Sequence, residues 1–308
     1  MSTGTKPLIA IGEVLWDLLP SGAVLGGAPF NFAFRMGELG GDARVLTRVG
    51  PDRFGAEARR AAETKGLDCS LWQIDPVAPT GTVNVTFDAA GKPDFQIVPE
   101  VAYDRLEATP ESIAAVSAAG CVYFGTLIQR TARARDEVGQ LLDAAELAGA
   151  LRVLDLNLRR DCHSPQTIRE SLARADVVKL SDEEAVLVGK LYGHSSDEFP
   201  ALARKILGHI PAKILAITLG ADGALAVDRS DRLVQVPGER VVVADTCGCG
   251  DAFTAGLVSG LLTGCSLEDC VRRGVKLGSA VAAQEGATRP LPPEVLQRLR
   301  SWPTSLPP

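Results

Sequence analysis

No apolar run in this sequence is long enough to cross a bilayer, so no spanning helix is expected. The first residues, MSTGTKPLIAIGEVLWD, hold only a short apolar stretch with acids soon after, which argues against a secretory leader. Histidine is scarce: His163, His194 and His209 are the three present, in segments that read as surface, and solvated side chains are expected of them. The seven cysteines are odd in number and scattered, which suits reduced thiols in a cytoplasm better than a disulfide frame. No Cys or His group stands at zinc spacing, and Cys247 and Cys249 read as small residues of a tight turn. Repeats and low-complexity linkers are absent. Positive charge is also short, with 32 Lys and Arg against 38 Asp and Glu, and the net charge of -6 argues against nucleic-acid or anionic membrane partners.

What is present is an ordinary globular composition, 46% hydrophobic and 23% charged over 308 residues. Buried strands are predicted near residues 6–11, 43–47, 119–124, 152–156, 177–180 and 214–218. Helices are predicted near 30–39, 57–65, 132–148, 164–173, 182–191 and 199–206. This alternation predicts an α/β fold, a three-layer α/β/α Rossmann-like arrangement with a mostly parallel sheet. The whole chain, 1–308, is expected to form one such domain. Short strands near 83–87 and 95–98, joined by a turn at 88–92, stand apart from the pattern. A local hairpin is expected at 225–228 and 234–236, and a loose Pro-rich tail at 301–308.

The densest local signal is Asp245-Thr246-Cys247-Gly248-Cys249-Gly250-Asp251. The preceding run, Val241 to Ala244, reads as a buried strand, and Ala252 to Leu262 reads as a helix. A glycine-rich turn into a helix start makes an anion site, because the first amides lack intrahelical partners and sit at the positive end of the helix dipole. Gly248 and Gly250 would let a ligand approach the backbone. Asp251 is badly placed to bind an anion and well placed to take a proton from a hydroxyl that attacks one. An N-terminal cap is the plain alternative for it.

Ligands of open α/β sheets bind beyond the carboxyl ends of the strands. Polar residues gather there in this sequence: Asp155, Asn157 and Arg159 after one strand, and Lys179, Ser181 and Glu184 after the next. Thr218, Gly220 and Gly223 follow a third, and Asp245 to Asp251 a fourth. Their convergence on one edge is the expectation.

With these residues in view, the chain resembles the ribokinase family of sugar and nucleoside kinases, also called the PfkB type. The resemblance runs from about Ile9 to Gly286. Its C-terminal signature is DTCGCGD, similar to D-T-x-G-x-G-D. Its N-terminal signature is Gly26-Gly27-Ala28-Pro29-Phe30-Asn31, continuing through Leu39-Gly40 to Val49-Gly50-Pro51-Asp52-Arg53-Phe54-Gly55. The resemblance implies a ribokinase-like fold and transfer of the γ-phosphoryl group of ATP to a primary hydroxyl. Asp251 matches the base, and the amides of Gly248, Cys249 and Gly250 match the anion hole. An Asp, with a pKa of about 3.9, suffices for a loose phosphoryl-transfer transition state that demands positioning. Asp17, Gly26, Gly27 and Asn31 match sugar-binding positions. Arg159 resembles an arginine brought to the phosphates, with a surface salt bridge as its alternative.

Lys179, Ser181, Thr218, Gly220 and Gly223 are implied for the nucleotide. Ser181 and Glu184 resemble an N-x-x-E pattern in which Glu organises Mg²⁺ through water; Ser stands where the pattern has Asn, and an ordinary first-turn carboxylate is the alternative for Glu184. Asp245 is implied for a monovalent cation such as K⁺. There is no lysine P-loop and no H-R-D catalytic loop.

Glu13-Val14-Leu15-Trp16-Asp17-Leu18-Leu19-Pro20 resembles the opening of bacterial fructokinases. The segments near 14–26 and 81–103 are implied to form a small β lid, with Phe95 as an apolar wall that excludes water or as a plain packing residue. Such lids pair between subunits in relatives, which implies a homodimer. D-fructose is the expected substrate. Ribose, 2-keto-3-deoxygluconate or a nucleoside is the alternative, and a non-catalytic sugar or nucleotide sensor is the reading from another class. A nicotinamide oxidoreductase is disfavoured, because the turn after the first strand lacks G-x-G-x-x-G.

Overall fold

A computed structural model describes residues 6–87, 93–194 and 198–302. The turn expected at 88–92 and most of the expected tail lie outside the described residues. In chain order the strands are β1 (Leu8–Ile11), β2 (Leu15–Leu19), β3 (Gly22–Gly26), β4 (Ala43–Val49), β5 (Trp72–Ile74), β6 (Gly81–Phe87), β7 (Pro93–Ile97), β8 (Cys121–Phe124), β9 (Leu151–Asp155), β10 (Val177–Ser181), β11 (Ile214–Thr218), β12 (Ala224–Asp228) and β13 (Leu233–Val236). The helices are α1 (Ala28–Glu38), α2 (Arg53–Thr64), α3 (Pro110–Ala118), α4 (Ala132–Leu147), α5 (Pro165–Ala173), α6 (Asp182–Leu191), α7 (Phe199–His209), α8 (Cys249–Leu262), α9 (Leu267–Ala282) and α10 (Pro293–Arg300).

A nine-stranded sheet runs in the order β13-β12-β11-β10-β9-β8-β1-β4-β5. Every pairing from β5 to β11 is parallel, and only β12 and β13 run antiparallel at the edge. The strands read as near-continuous apolar runs because both faces are covered. Their two-residue period sends Leu8, Ala10, Cys121 and Tyr123 to one core, which includes buried residues of α1, α2, α8 and α9. Ile9, Ile11, Val122 and Phe124 go to the other, which holds the apolar faces of α3 to α7. The expected three-layer fold is therefore present. A second sheet of four strands, β3-β2-β6-β7, grows from the carboxyl end of β1 and is the small β sheet expected of the segments near 14–26 and 81–103.

One strand was misassigned from sequence. Val241 to Ala244 is neither a strand nor buried: Val242 is 89% exposed and Val243 59%. The run pairs with no strand of either sheet. The Ala244 and Asp245 amides bond instead to Ala282 O at the end of α9, at 2.8 and 3.3 Å. Asp245 to Asp251 thus follows an exposed apolar segment, and α8 begins at Cys249, which puts Asp251 inside its first turn.

Two kinds of helix start matter here; α7 and α10, which follow Glu198 and Pro292 without a side-chain cap, belong to neither. Side chains of Asp52, Thr109, Thr131, Ser164, Ser181 and Ser266 cap α2, α3, α4, α5, α6 and α9. The starts of α1 and α8 carry glycine, Gly27 and Gly248, with no side-chain cap bond. Those two helices meet at the site.

Candidate active site

Gly248 stands in the left-handed region at φ 75°, and a Cβ there would lie 2.5 Å from Ala287 Cβ. Conformation and space both require glycine. The first turn of α8, Cys249 to Asp251, presents its amides beyond that glycine. A Cβ on Gly250 would come within 2.9 Å of Lys179 Nζ, so an ammonium group stands beside the same amides. Lys179, the central residue of β10, is buried and pairs with Asp155 at 3.1 Å. Burial depresses its pKa, but Asp155, Glu184 and Asp251 outweigh that and leave it raised, so the charge persists. The other Asp155 oxygen accepts from Thr254 Oγ1 of α8 at 2.9 Å, which ties β9 and β10 to the helix.

Asp251 is buried, and its Oδ2 accepts from Asn31 Nδ2 of α1 at 2.8 Å. Desolvation, with the Asp155 charge adding, raises its pKa to about 6 against the pull of Asn31, Lys179 and Arg159. Asn31 Oδ1 is buried with no hydrogen-bond partner. Glu13 is buried too; desolvation raises its pKa to about 7, opposed by backbone hydrogen bonds and Arg159, while Asp251 adds to the rise. Asp17 on β2 sits 3.3 Å from the Cβ position of Gly26, across the β2–β3 pairing. Burial raises its pKa and Arg159 lowers it. Arg159 is exposed at its tip, yet its charge acts on Glu13, Asp17 and Asp251 together.

Other predicted residues occupy the rim. Ser181 and Thr218 are register partners at the ends of β10 and β11. Gly220 (φ 56°) and Gly223 (φ 96°) form the turn after Thr218, where a Cβ on Gly223 would meet Val236 O at 2.1 Å. The Glu184 carboxylate accepts from Leu158 N at 2.6 Å and Ser181 N at 2.8 Å, and Ser181 Oγ accepts from Glu184 N in return. The first-turn capping role is therefore present. Asp245 accepts from Cys247 N at 2.9 Å and Gly286 N at 3.0 Å, and so pins the glycine turn to the loop after α9. Phe95 stands somewhat apart. It is 54% exposed on β7 and lines a neighbouring cavity of about 1130 Å³ with Ile97, Arg105, Arg130, Arg133 and Arg160.

The combination of a glycine-capped helix start, a lysine and a buried Asp–Asn pair suits transfer of an anionic group to a hydroxyl. Comparison with known sequences agrees, since the profile of the pfkB family carbohydrate kinase matches residues 22–294. The chain belongs to the pfkB family of carbohydrate kinases. It is 31% identical to a fructokinase of Klebsiella pneumoniae over 82% of this chain and 83% of that one. It is 30% identical to a fructokinase of Escherichia coli over 92% and 95%. A sugar kinase of Pyrococcus horikoshii, solved in complex with ATP, superposes with a TM-score of 0.81 at 27% identity, covering 95% of this chain and 99% of that one.

As a pfkB family kinase the protein is a phosphotransferase with an alcohol group as acceptor. Sequence reasoning assigned no role to Glu13, Asp155, Thr254 or Arg35 in this kinase. Glu13 lay inside a quoted motif, and Asp155 at the end of a predicted strand, so both carried a signal. Arg35 carried none. It is wholly buried, and its Nη2 donates to Ala287 O at 2.6 Å from 252 positions away, behind the methyl that backs Gly248.

Proposed function

We propose that this kinase transfers the γ-phosphoryl group of ATP to a primary hydroxyl of D-fructose, giving D-fructose 6-phosphate. The observation that carries the reading is the buried Asn31–Asp251 pair set in the first turn of α8, beside Gly250 and Lys179. The fructokinase relatives support the choice of sugar. In the proposed step the sugar oxygen attacks the γ-phosphorus, the bond to the β,γ-bridging oxygen breaks, and ADP leaves. Asp251 takes the hydroxyl proton. The amides of Gly248, Cys249 and Gly250 and the Lys179 ammonium meet the charge spread over the transferring group. Asp17, Gly26, Gly27 and Asn31 hold the sugar, and Arg159 balances the carboxylates around it.

The nucleotide would lie over Ser181, Thr218, Gly220 and Gly223, with the exposed valines 241–243 as an apolar surface for its base. Among the described residues no three His, Cys, Asp or Glu side chains stand close enough to hold a metal. Mg²⁺ would thus be carried mainly by the nucleotide phosphates, with Glu184 contributing through water. Asp245, bridging two backbone segments, is the assigned neighbour of a K⁺ ion. The four-stranded sheet would serve as the lid, and a homodimer would form through it. The absence of disulfides among the described residues fits a reducing cytoplasm.

A sugar acid is the second reading: Arg105, Arg130, Arg133 and Arg160 line the cavity beside Phe95, together with Glu100, Asp104 and Asp161. Both readings are tested by ATP consumption with Mg²⁺ and K⁺ across fructose, ribose, 2-keto-3-deoxygluconate, glucose, mannose, adenosine and inosine. The highest kcat/KM is expected for fructose. A preference for 2-keto-3-deoxygluconate would select the second reading, and silence across the panel from folded protein would remove both.

A further inference from the structure

The first turn of α1 is held from outside the helix. Its N-cap, Gly27, has no side chain to satisfy the opening amides, and Pro29 has no amide at all. The acceptor comes from the β1–β2 connection, where Glu13 Oε1 accepts the Ala28 N–H at 3.2 Å. The backbone of Glu13 is pressed against the same turn: a Cβ on Gly27 would lie 2.4 Å from Glu13 O. Glu13 is only 5% exposed, so bulk water cannot readily replace it as partner. Desolvating a carboxyl group is costly, and this one is spent on a single backbone turn.

That turn connects two parts of the site. Gly26 and Gly27 lie on its one side, next to Asp17. Asn31 lies one turn further on, with its amide nitrogen on Gly27 O at 2.9 Å and its side chain on Asp251 at 2.8 Å. A shift of the Ala28 amide moves the glycine pair and the partner of Asp251 together, because all of them are fixed to one rigid helix start.

We infer that Glu13 is a positioning residue of this kinase: by accepting the Ala28 amide it fixes the first turn of α1, and through that turn it keeps Gly26, Gly27 and Asn31 aligned with Asp251. The claim rests on the proposed reading of this turn as the sugar site.

The test compares Glu13→Ala and Glu13→Gln in the full chain. Glutamine keeps an oxygen acceptor of the same reach, whereas alanine removes it. Hydrogen exchange by mass spectrometry over residues 24–36 needs no substrate. In Glu13→Ala that segment exchanges roughly tenfold faster or more, as expected for loss of one buried hydrogen bond, and in Glu13→Gln it stays near wild type. With the preferred sugar, Glu13→Ala raises the sugar KM by roughly tenfold while the ATP KM holds, and Glu13→Gln restores most of the loss. If Glu13→Ala does not fold, Glu13→Met, of similar length and without an acceptor, takes its place. Unchanged exchange in the variant without an acceptor, or equal rises in both KM values, overturns the inference. If wild-type protein phosphorylates no sugar, the proposed function fails, and the exchange result still decides the positioning claim.

Discussion

At the residue scale, the centre of the site is a set of carboxyl groups held at different proton affinities by burial. Asp251 is raised to about 6, and Asn31 and Lys179 keep it from rising further. A base works only when deprotonated, so the sign is fixed: activity is full above the folded pKa and is lost as pH falls through it. The sugar kcat/KM is therefore expected to fall about tenfold per pH unit below about pH 6. A profile flat down to pH 4.5 would show that Asp251 does not act as the base. Cys247 behaves in the opposite way to a reactive thiol. Although Cys247 is exposed at the surface, partial desolvation of its sulfur and then the charges of Asp251, Asp245 and Asp17 raise its pKa, so the thiolate is rare at neutral pH.

At the scale of elements, the site depends on how two helices begin. Most helices here carry Ser, Thr or Asp caps, which seal the first turn against a ligand. The glycine starts of α1 and α8 have no side-chain cap of their own: Glu13 holds the first from outside, and the second relies on its backbone turn. Gly248→Ala adds both a left-handed strain and a collision with Ala287, whereas Gly149→Ala at φ 69° adds strain with nothing within 4 Å. Both variants should lose at least about 1 kcal/mol of stability. Only Gly248→Ala should also lose roughly a hundredfold or more in kcat, because the proposed anion hole moves. Chemical denaturation and steady-state kinetics on the pair separate the two effects.

At the scale of the whole molecule, most of the large sheet was legible because its strands are apolar runs between capped helices. What escaped was decided by contacts distant in sequence. Val241 to Val243 has the composition of a strand, but the residues that follow are tied to Ala282 at the end of α9 and the run pairs with no strand of either sheet. β5, of three residues, is too short to show a period, whereas α9 carries a clear apolar stripe at helical spacing that the sequence did offer. The glycine turn and Asp251 were legible because their chemistry is local. The Glu13–Ala28 bond and the Arg35–Ala287 bond were not, since each joins residues far apart in the chain. The four-stranded sheet leaves β3 and β7 as open edges with Val24 and Phe95 exposed, a surface that pairing with a second copy would cover. Light scattering should accordingly give twice the 32.4 kDa chain mass, and a monomer at all concentrations would remove the proposed lid interface.

The most direct test of the account is turnover of Asp251→Asn with the preferred sugar, measured beside nucleotide affinity. The side chain stays nearly isosteric and can still bond Asn31, so the fold and the nucleotide surface are retained. The account predicts that kcat falls by about 10² to 10⁴, the usual worth of a positioned base, while the ATP Kd is unchanged. Turnover within a few-fold of wild type would contradict it, and would move the base away from the first turn of α8.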